Sequence, residues 1–118
     1  MKLYGITNCD TVKKARLWLA EKGHDIPFHD FKKAGVDRDM LKHWLGKADW
    51  QDLVNKRGTT WRQLSDEEKA AVQDEATAIE LMLRKPTVIK RPILESGGRV
   101  VVGFDEKSFS ECLQNERA

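Results

Sequence analysis

Cys9 and the dipeptide Arg91-Pro92 are the residues whose types and positions carry chemistry in this chain. Cys9 closes a loop, Ile6-Thr7-Asn8-Cys9, that leaves a short apolar stretch and runs directly into a helical pattern. A helix start presents unpaired N–H groups and the positive end of the helix dipole. Both favour a thiolate, and such a setting brings a cysteine pKa from about 8.5 down to roughly 3.5–7.5. The size of that effect decides reactivity. At pH 7 an unshifted thiol is only a few per cent ionised, whereas one with a pKa near ~6.5 is mostly thiolate. Lys13 and Lys14, one turn in, add positive potential. Most free cysteines are small buried hydrophobes, so it is the position before a helix that makes Cys9 the candidate nucleophile.

The motif is not Cys-x-x-Cys, because Cys9-Asp10-Thr11-Val12 ends in valine. No disulfide can close within the loop, and a redox cycle at Cys9 needs an outside thiol, such as glutathione, to resolve its intermediate. Cys112 follows Ser108-Phe109 on a terminal helix and reads as packing. Arg91 before Pro92 offers a guanidinium for a carboxylate, an oxyanion or a thiolate, although a strand-ending turn with a solvated arginine has the same sequence. The run Arg84, Lys85, Lys90 and Arg91 contains no acid among its charges, which favours an anionic ligand. His24, His29 and His43 lack metal-ligand spacing. Trp18, Trp44, Trp50 and Trp61 fit helix packing better than a base-stacking platform, and Asn55-Lys56-Arg57-Gly58-Thr59-Thr60 reads as a polar turn.

The elements that must position these residues follow from periodicity. Residues 1–5 predict a strand. Asp10 or Thr11 is the expected N-cap of a helix whose apolar positions Val12, Ala15, Trp18 and Leu19 share a face, with Gly23 as its cap. Ile26 to Phe31 alternates as a second strand, so the first 31 residues predict a parallel crossover. Met40, Leu41, Trp44 and Leu45 form a helical stripe behind Asp37. Ser65 to Glu68 is a capping box, and residues 74–84 continue helically. Thr87-Val88-Ile89 is expected to begin a third strand that resumes after Pro92. Ser96-Gly97-Gly98 turns into Arg99 to Val102 as its antiparallel partner, and Asp105 caps a last helix. The expected architecture is α/β, a thioredoxin-like order of βαβ then ββα in a mixed sheet. It forms one domain over 1–118, with its core at about 1–31 and 86–118 and a helical insertion at about 36–85, between strands two and three. In such a fold a proline enters the strand facing the nucleophilic loop.

Composition excludes other classes. With 118 residues, 40% hydrophobic, the chain can bury a core without disulfides or a structural metal. Two cysteines are too few for a secreted disulfide scaffold. No leader precedes the first strand and no apolar run approaches the ~20 residues of a membrane span, so a cytoplasmic protein is expected. A net charge of +2, from 21 basic and 19 acidic residues, does not predict nucleic-acid binding.

Tyr4-Gly5-Ile6-Thr7-Asn8-Cys9-Asp10-Thr11-Val12-Lys13-Lys14-Ala15, the long helical insertion, and Pro86-Thr87-Val88-Ile89-Lys90-Arg91-Pro92-Ile93 before a Gly-turned hairpin resemble the bacterial ArsC/Spx family. The Asn-Cys-Asp-Thr-Val-Lys-Lys-Ala string is similar to its YffB-like branch of glutathione-dependent thiol reductases. The resemblance implies a thioredoxin-like domain, a nucleophilic Cys9 and an Arg91 before a cis Pro92. It implies a reductase without a bound cofactor, with glutathione as co-substrate and an oxidised thiol or an oxyanion as substrate. Asn8, Lys13, Arg91 and Pro92 are then the substrate- or glutathione-binding set, with Cys9 and Arg91 catalytic and no metal. Arsenate reductases of the family carry further arginines, where this chain has Asn55 with Arg57 nearby and, in the hairpin exit near Gly103, a residue other than arginine, and a serine where it has Val12. Those departures weigh against arsenate. The alternative is a non-catalytic, Spx-like module docking on a protein such as RNA polymerase, with an apolar patch on the insertion that includes Trp50 or Trp61. Spx-type Cys-x-x-Cys switching is removed by Val12.

Overall fold

A computed structural model describes residues 1–117, with side chains described through residue 114. The elements in chain order are β1 (Lys2–Gly5), α1 (Asp10–Glu21), β2 (Phe28–Asp30), α2 (Phe31–Ala34), α3 (Arg38–Leu45), α4 (Trp50–Leu53), α5 (Thr59–Arg62), α6 (Asp66–Ala70), α7 (Glu75–Arg84), a 3-10 turn (Pro86–Val88), β3 (Ile93–Ser96), β4 (Arg99–Val102) and α8 (Glu106–Arg117). They group into two compact units, Met1–Ala34 with Arg91–Ala118, and Gly35–Lys90.

The first unit carries a four-stranded sheet in the order β2-β1-β3-β4. β1 and β2 are parallel, while β1–β3 and β3–β4 are antiparallel, which is the mixed thioredoxin-like sheet the sequence predicts. Register sets Leu3 opposite both Phe28 and Leu94. Leu3 and Leu94 meet Ala15 and Leu19 of α1 and Phe109, Cys112 and Leu113 of α8 in one buried cluster. Each large apolar side chain buried there contributes about 1.5–3 kcal/mol. Gly97 and Gly98 turn β3 into β4 at φ 56° and 80°, the left-handed pair that a two-residue hairpin requires. Asp105 opens α8 as expected, its carboxylate accepting the Ser108 N–H at 3.0 Å.

The second unit is helical. Asp37, Ser65 and Asp74 each accept an N–H three residues on, and the last two form full capping boxes. Trp44 is fully buried, whereas Trp50 and Trp61 are half-buried, with the Lys56 ammonium over both rings at 6.0 and 5.4 Å. The third strand forms only in the part expected after Pro92, as β3; its expected beginning at Thr87-Val88-Ile89 does not join the sheet. Asn55 N–H bonds the Val88 carbonyl at 2.8 Å and Lys90 N–H bonds the Leu53 carbonyl at 2.7 Å, with Val54 and Ile89 as an isolated bridge. The segment's backbone partners are therefore residues 53–55 of the helical unit, and the 3-10 turn at Pro86 breaks the extended run.

Two boundaries also differ from expectation. β2 is shorter than predicted because Phe31 already opens α2, where it buries its ring. The N-cap of α1 is Cys9 itself, not Asp10 or Thr11. Among the described residues no helix is long and apolar enough to cross a membrane.

Candidate active site

β1 delivers the chain to Cys9 through a tight corner. A Cβ on Gly5 would lie 2.8 Å from Cγ2 of Val12, so glycine is what lets the end of β1 approach the first turn of α1 this closely. Val12 is completely buried in that contact. The loop between the two is short, and Cys9 is held at the helix start with extended dihedrals, φ −110° and ψ 124°. Its carbonyl accepts the Lys13 N–H at 2.9 Å, the first bond of α1.

With Cys9 as N-cap, Thr11 and Val12 occupy the second and third helical positions, whose N–H groups a capping side chain ordinarily receives. The neutral thiol, a weak acceptor, makes no formal cap hydrogen bond. The same N–H groups nonetheless act on the sulfur and favour its ionised form. Burial is the largest single influence and pushes the Cys9 thiol up. The Val12 N–H, the Arg91 guanidinium through hydrogen bonding and charge, and the Thr11 N–H together outweigh it, so the thiol lies below its ordinary range.

Arg91 reaches this sulfur through sheet register. β1 and β3 run antiparallel with Tyr4 opposite Ile93, so the residues just before Ile93 lie at the end of β1 from which the Cys9 loop emerges. Arg91–Pro92 is a cis peptide. Pro92 is buried, and its carbonyl accepts the Gly103 N–H at 2.8 Å, which ties the dipeptide to the exit of β4. Arg91 itself is half-buried.

The other candidates separate. Asn8 and Lys13 are exposed neighbours of Cys9 along the chain. Arg91 is the cation that acts on the sulfur, and neither Lys13 nor Lys14 is among the groups that shift it. Cys112 is 1% exposed within the buried cluster, and its sulfur lies 3.9 Å from the Ser96 carbonyl, a packing position. Asn55 belongs to the helical unit, where its Oδ1 accepts the Arg57 N–H at 3.2 Å and shapes a tight turn. The roles of the Thr11 and Val12 N–H groups and of Gly5 were not read from sequence. Gly5 directly before a Cys-bearing loop was the available signal. The backbone donors had none, because cysteine is not among the usual N-cap residues.

Sheet order, the cysteine N-cap and an arginine before a cis-proline define a thioredoxin-like α/β protein with a thiolate-favouring site. The ArsC family pattern matches residues 4–112, and the chain belongs to that family. An uncharacterized protein of Haemophilus influenzae is 43% identical over 111 residues, covering 94% of this chain and 96% of its own length. The solved structure of a protein called YffB superposes with a TM-score of 0.89 at 50% identity, covering 94% of this chain and 96% of that one. The global transcriptional regulator Spx of Streptococcus pyogenes is 26% identical over 112 residues, covering 92% of this chain and 81% of Spx.

Proposed function

We propose that the protein is a thiol-dependent reductase in which Cys9 is the nucleophile and an external thiol, glutathione, resolves the intermediate. The observation that carries this is the placement of Cys9 as the N-cap of α1 at the end of the sheet where Arg91 precedes the cis Pro92, an arrangement whose N–H groups and guanidinium favour the thiolate against the cost of burial. In the reaction the Cys9 thiolate attacks the glutathionyl sulfur of a mixed disulfide. A Cys9–glutathione disulfide forms and the substrate leaves as its thiolate. A second glutathione thiolate then attacks the glutathionyl sulfur, which regenerates the Cys9 thiolate and releases oxidised glutathione. In the net exchange the mixed disulfide and one glutathione thiolate become the substrate thiolate and oxidised glutathione, and no second protein sulfur is used. Arg91 stabilises Cys9 as nucleophile and as leaving group. Asn8 and Lys13 complete the binding surface for the peptide-like thiol or an anionic substrate, and the buried cis Pro92 shapes the backbone beneath it. A cytoplasmic setting supplies the reductant.

Mass spectrometry after exposure to oxidised glutathione tests the cycle. The expected product is a single adduct of about 305 Da on Cys9, removed by reduced glutathione. An unmodified Cys9, or an adduct that reduced glutathione leaves in place, overturns the reading.

A second reading rests on the Spx relative: a non-catalytic module docking on a protein partner such as RNA polymerase. The surface expected for it at Trp50 and Trp61 is partly covered, both rings being half-buried beneath Lys56. A pull-down comparing the native chain with Cys9→Ser separates the two, because partner binding retained without thiol-dependent turnover favours the module.

A further inference from the structure

α1 presents to solvent a stripe that is complementary to itself. Lys14, Leu17, Trp18 and Glu21 follow helical spacing on one face. Together with Phe104 and Glu106 they line a cavity of about 340 Å³. Leu17 is 61% exposed, one of two large hydrophobic side chains so placed among the described residues. Trp18 is half-buried, packed edge-on against Phe104 and Phe109 with ring centroids 6.0 Å away in each case. It thus forms an apolar wall beside Leu17. Among the described residues neither Lys14 nor Glu21 is in an ion pair. They stand two turns apart on the helix, too far to pair with each other.

We infer that a second copy of this chain docks on this face, with the two α1 helices antiparallel about a two-fold axis between Leu17 and Trp18. The order of the stripe is what selects this occupant. Reversing it exchanges Lys14 with Glu21 and Leu17 with Trp18, so an antiparallel copy meets each charge with its opposite at both ends and each apolar residue with an apolar residue at the centre. A two-fold interface requires this self-complementarity. Leu17 of each copy enters the cavity walled by Trp18 and Phe104 of the other, removing from water the most exposed large apolar side chain among the described residues. The paired charges fix the antiparallel register and exclude the parallel one, in which like charges would face each other. The face is narrow, so association is reversible and in the micromolar to millimolar range.

Sedimentation equilibrium under reducing conditions tests this, repeated in Cys9→Ser so that a disulfide-linked pair is not counted. The expected result is a monomer–dimer equilibrium between ~10 μM and ~1 mM protein. Leu17→Asp abolishes the dimer while the far-UV spectrum stays native. Lys14→Glu and Glu21→Lys each weaken it about tenfold by setting like charges together at both ends, and the double variant K14E/E21K restores it to within about threefold of native. A chain that stays monomeric at ~1 mM overturns the inference. So does a dimer indifferent to Leu17→Asp, or a double reversal that dimerises no better than the single ones.

Discussion

At the scale of single residues, Cys9 is poised by competing effects of known sign. Burial disfavours the thiolate, while two backbone N–H groups and Arg91 favour it and prevail. Arg91 is the only one of these partners whose contribution a side-chain substitution removes. Arg91→Ala therefore raises the Cys9 pKa, leaving the helix N-terminus to oppose burial alone. The profile of iodoacetamide labelling against pH moves to higher pH, and the rate at pH 7 falls several-fold. Arg91→Lys recovers part of the shift, since an ammonium restores charge without the planar guanidinium fork. Labelling identical in native and Arg91→Ala protein would remove Arg91 from the account of thiol activation. Lys13→Ala and Lys14→Ala leave the profile in place, because neither lysine contributes to the shift.

At the scale of elements, the contact between the end of β1 and the first turn of α1 sets the position of Cys9. Gly5→Ala places a methyl 2.8 Å from Val12 Cγ2, a core atom with no solvent to move into. Overpacking of this kind costs about 1–3 kcal/mol, and it displaces the helix start that activates the thiol. Both stability to urea and Cys9 reactivity at neutral pH are expected to fall. Adding Val12→Ala to Gly5→Ala empties the clashing site and returns part of the reactivity, a coupling that two independent defects would not show. What was legible in sequence follows the same line. β1, the Gly97-Gly98 hairpin, the Asp37 helix start and the Ser65 capping box are local signals, each carried by a few adjacent residues, and they form where expected, while the Asp74 cap, read in sequence only as the start of a helical run, emerges from the structure. Thr87-Val88-Ile89 has β-branched residues suited to a strand, yet its backbone partners at 53–55 lie some thirty residues away in sequence and no local pattern encodes them. Cys9 and Arg91 were legible as candidates by residue type. The N–H groups of Thr11 and Val12 were not, since the helix begins one residue earlier than the common cap residues Asp10 and Thr11 indicate, and the cysteine itself takes the cap position.

At the scale of the whole molecule, the same thiol couples global stability to pH. Cys9 has a lower pKa folded than unfolded, so between the two values the unfolded chain binds more protons and stability rises with pH. Cys9→Ser removes the titrating group and keeps a small polar side chain at the cap, so the native chain minus this variant isolates the linkage. The difference is constant at pH below the folded pKa, where both states hold the proton. It grows in favour of the native chain as pH rises through the folded value, and it levels off above the ordinary cysteine pKa of about 8.5. Read in the other direction, the stabilisation is fully present above the unfolded pKa and is lost as pH falls through the folded one. Because the thiol is only half-buried, solvent screens its partners and the total gain is small beside the stability of a typical domain. Urea unfolding of both chains under reducing conditions, at half-unit steps from about pH 5 to 10, measures it. A difference that stays flat across this range, or that shrinks toward pH 9, would mean that the folded chain does not favour the thiolate, and the activation of Cys9 by the α1 N-terminus and Arg91 would fall with it.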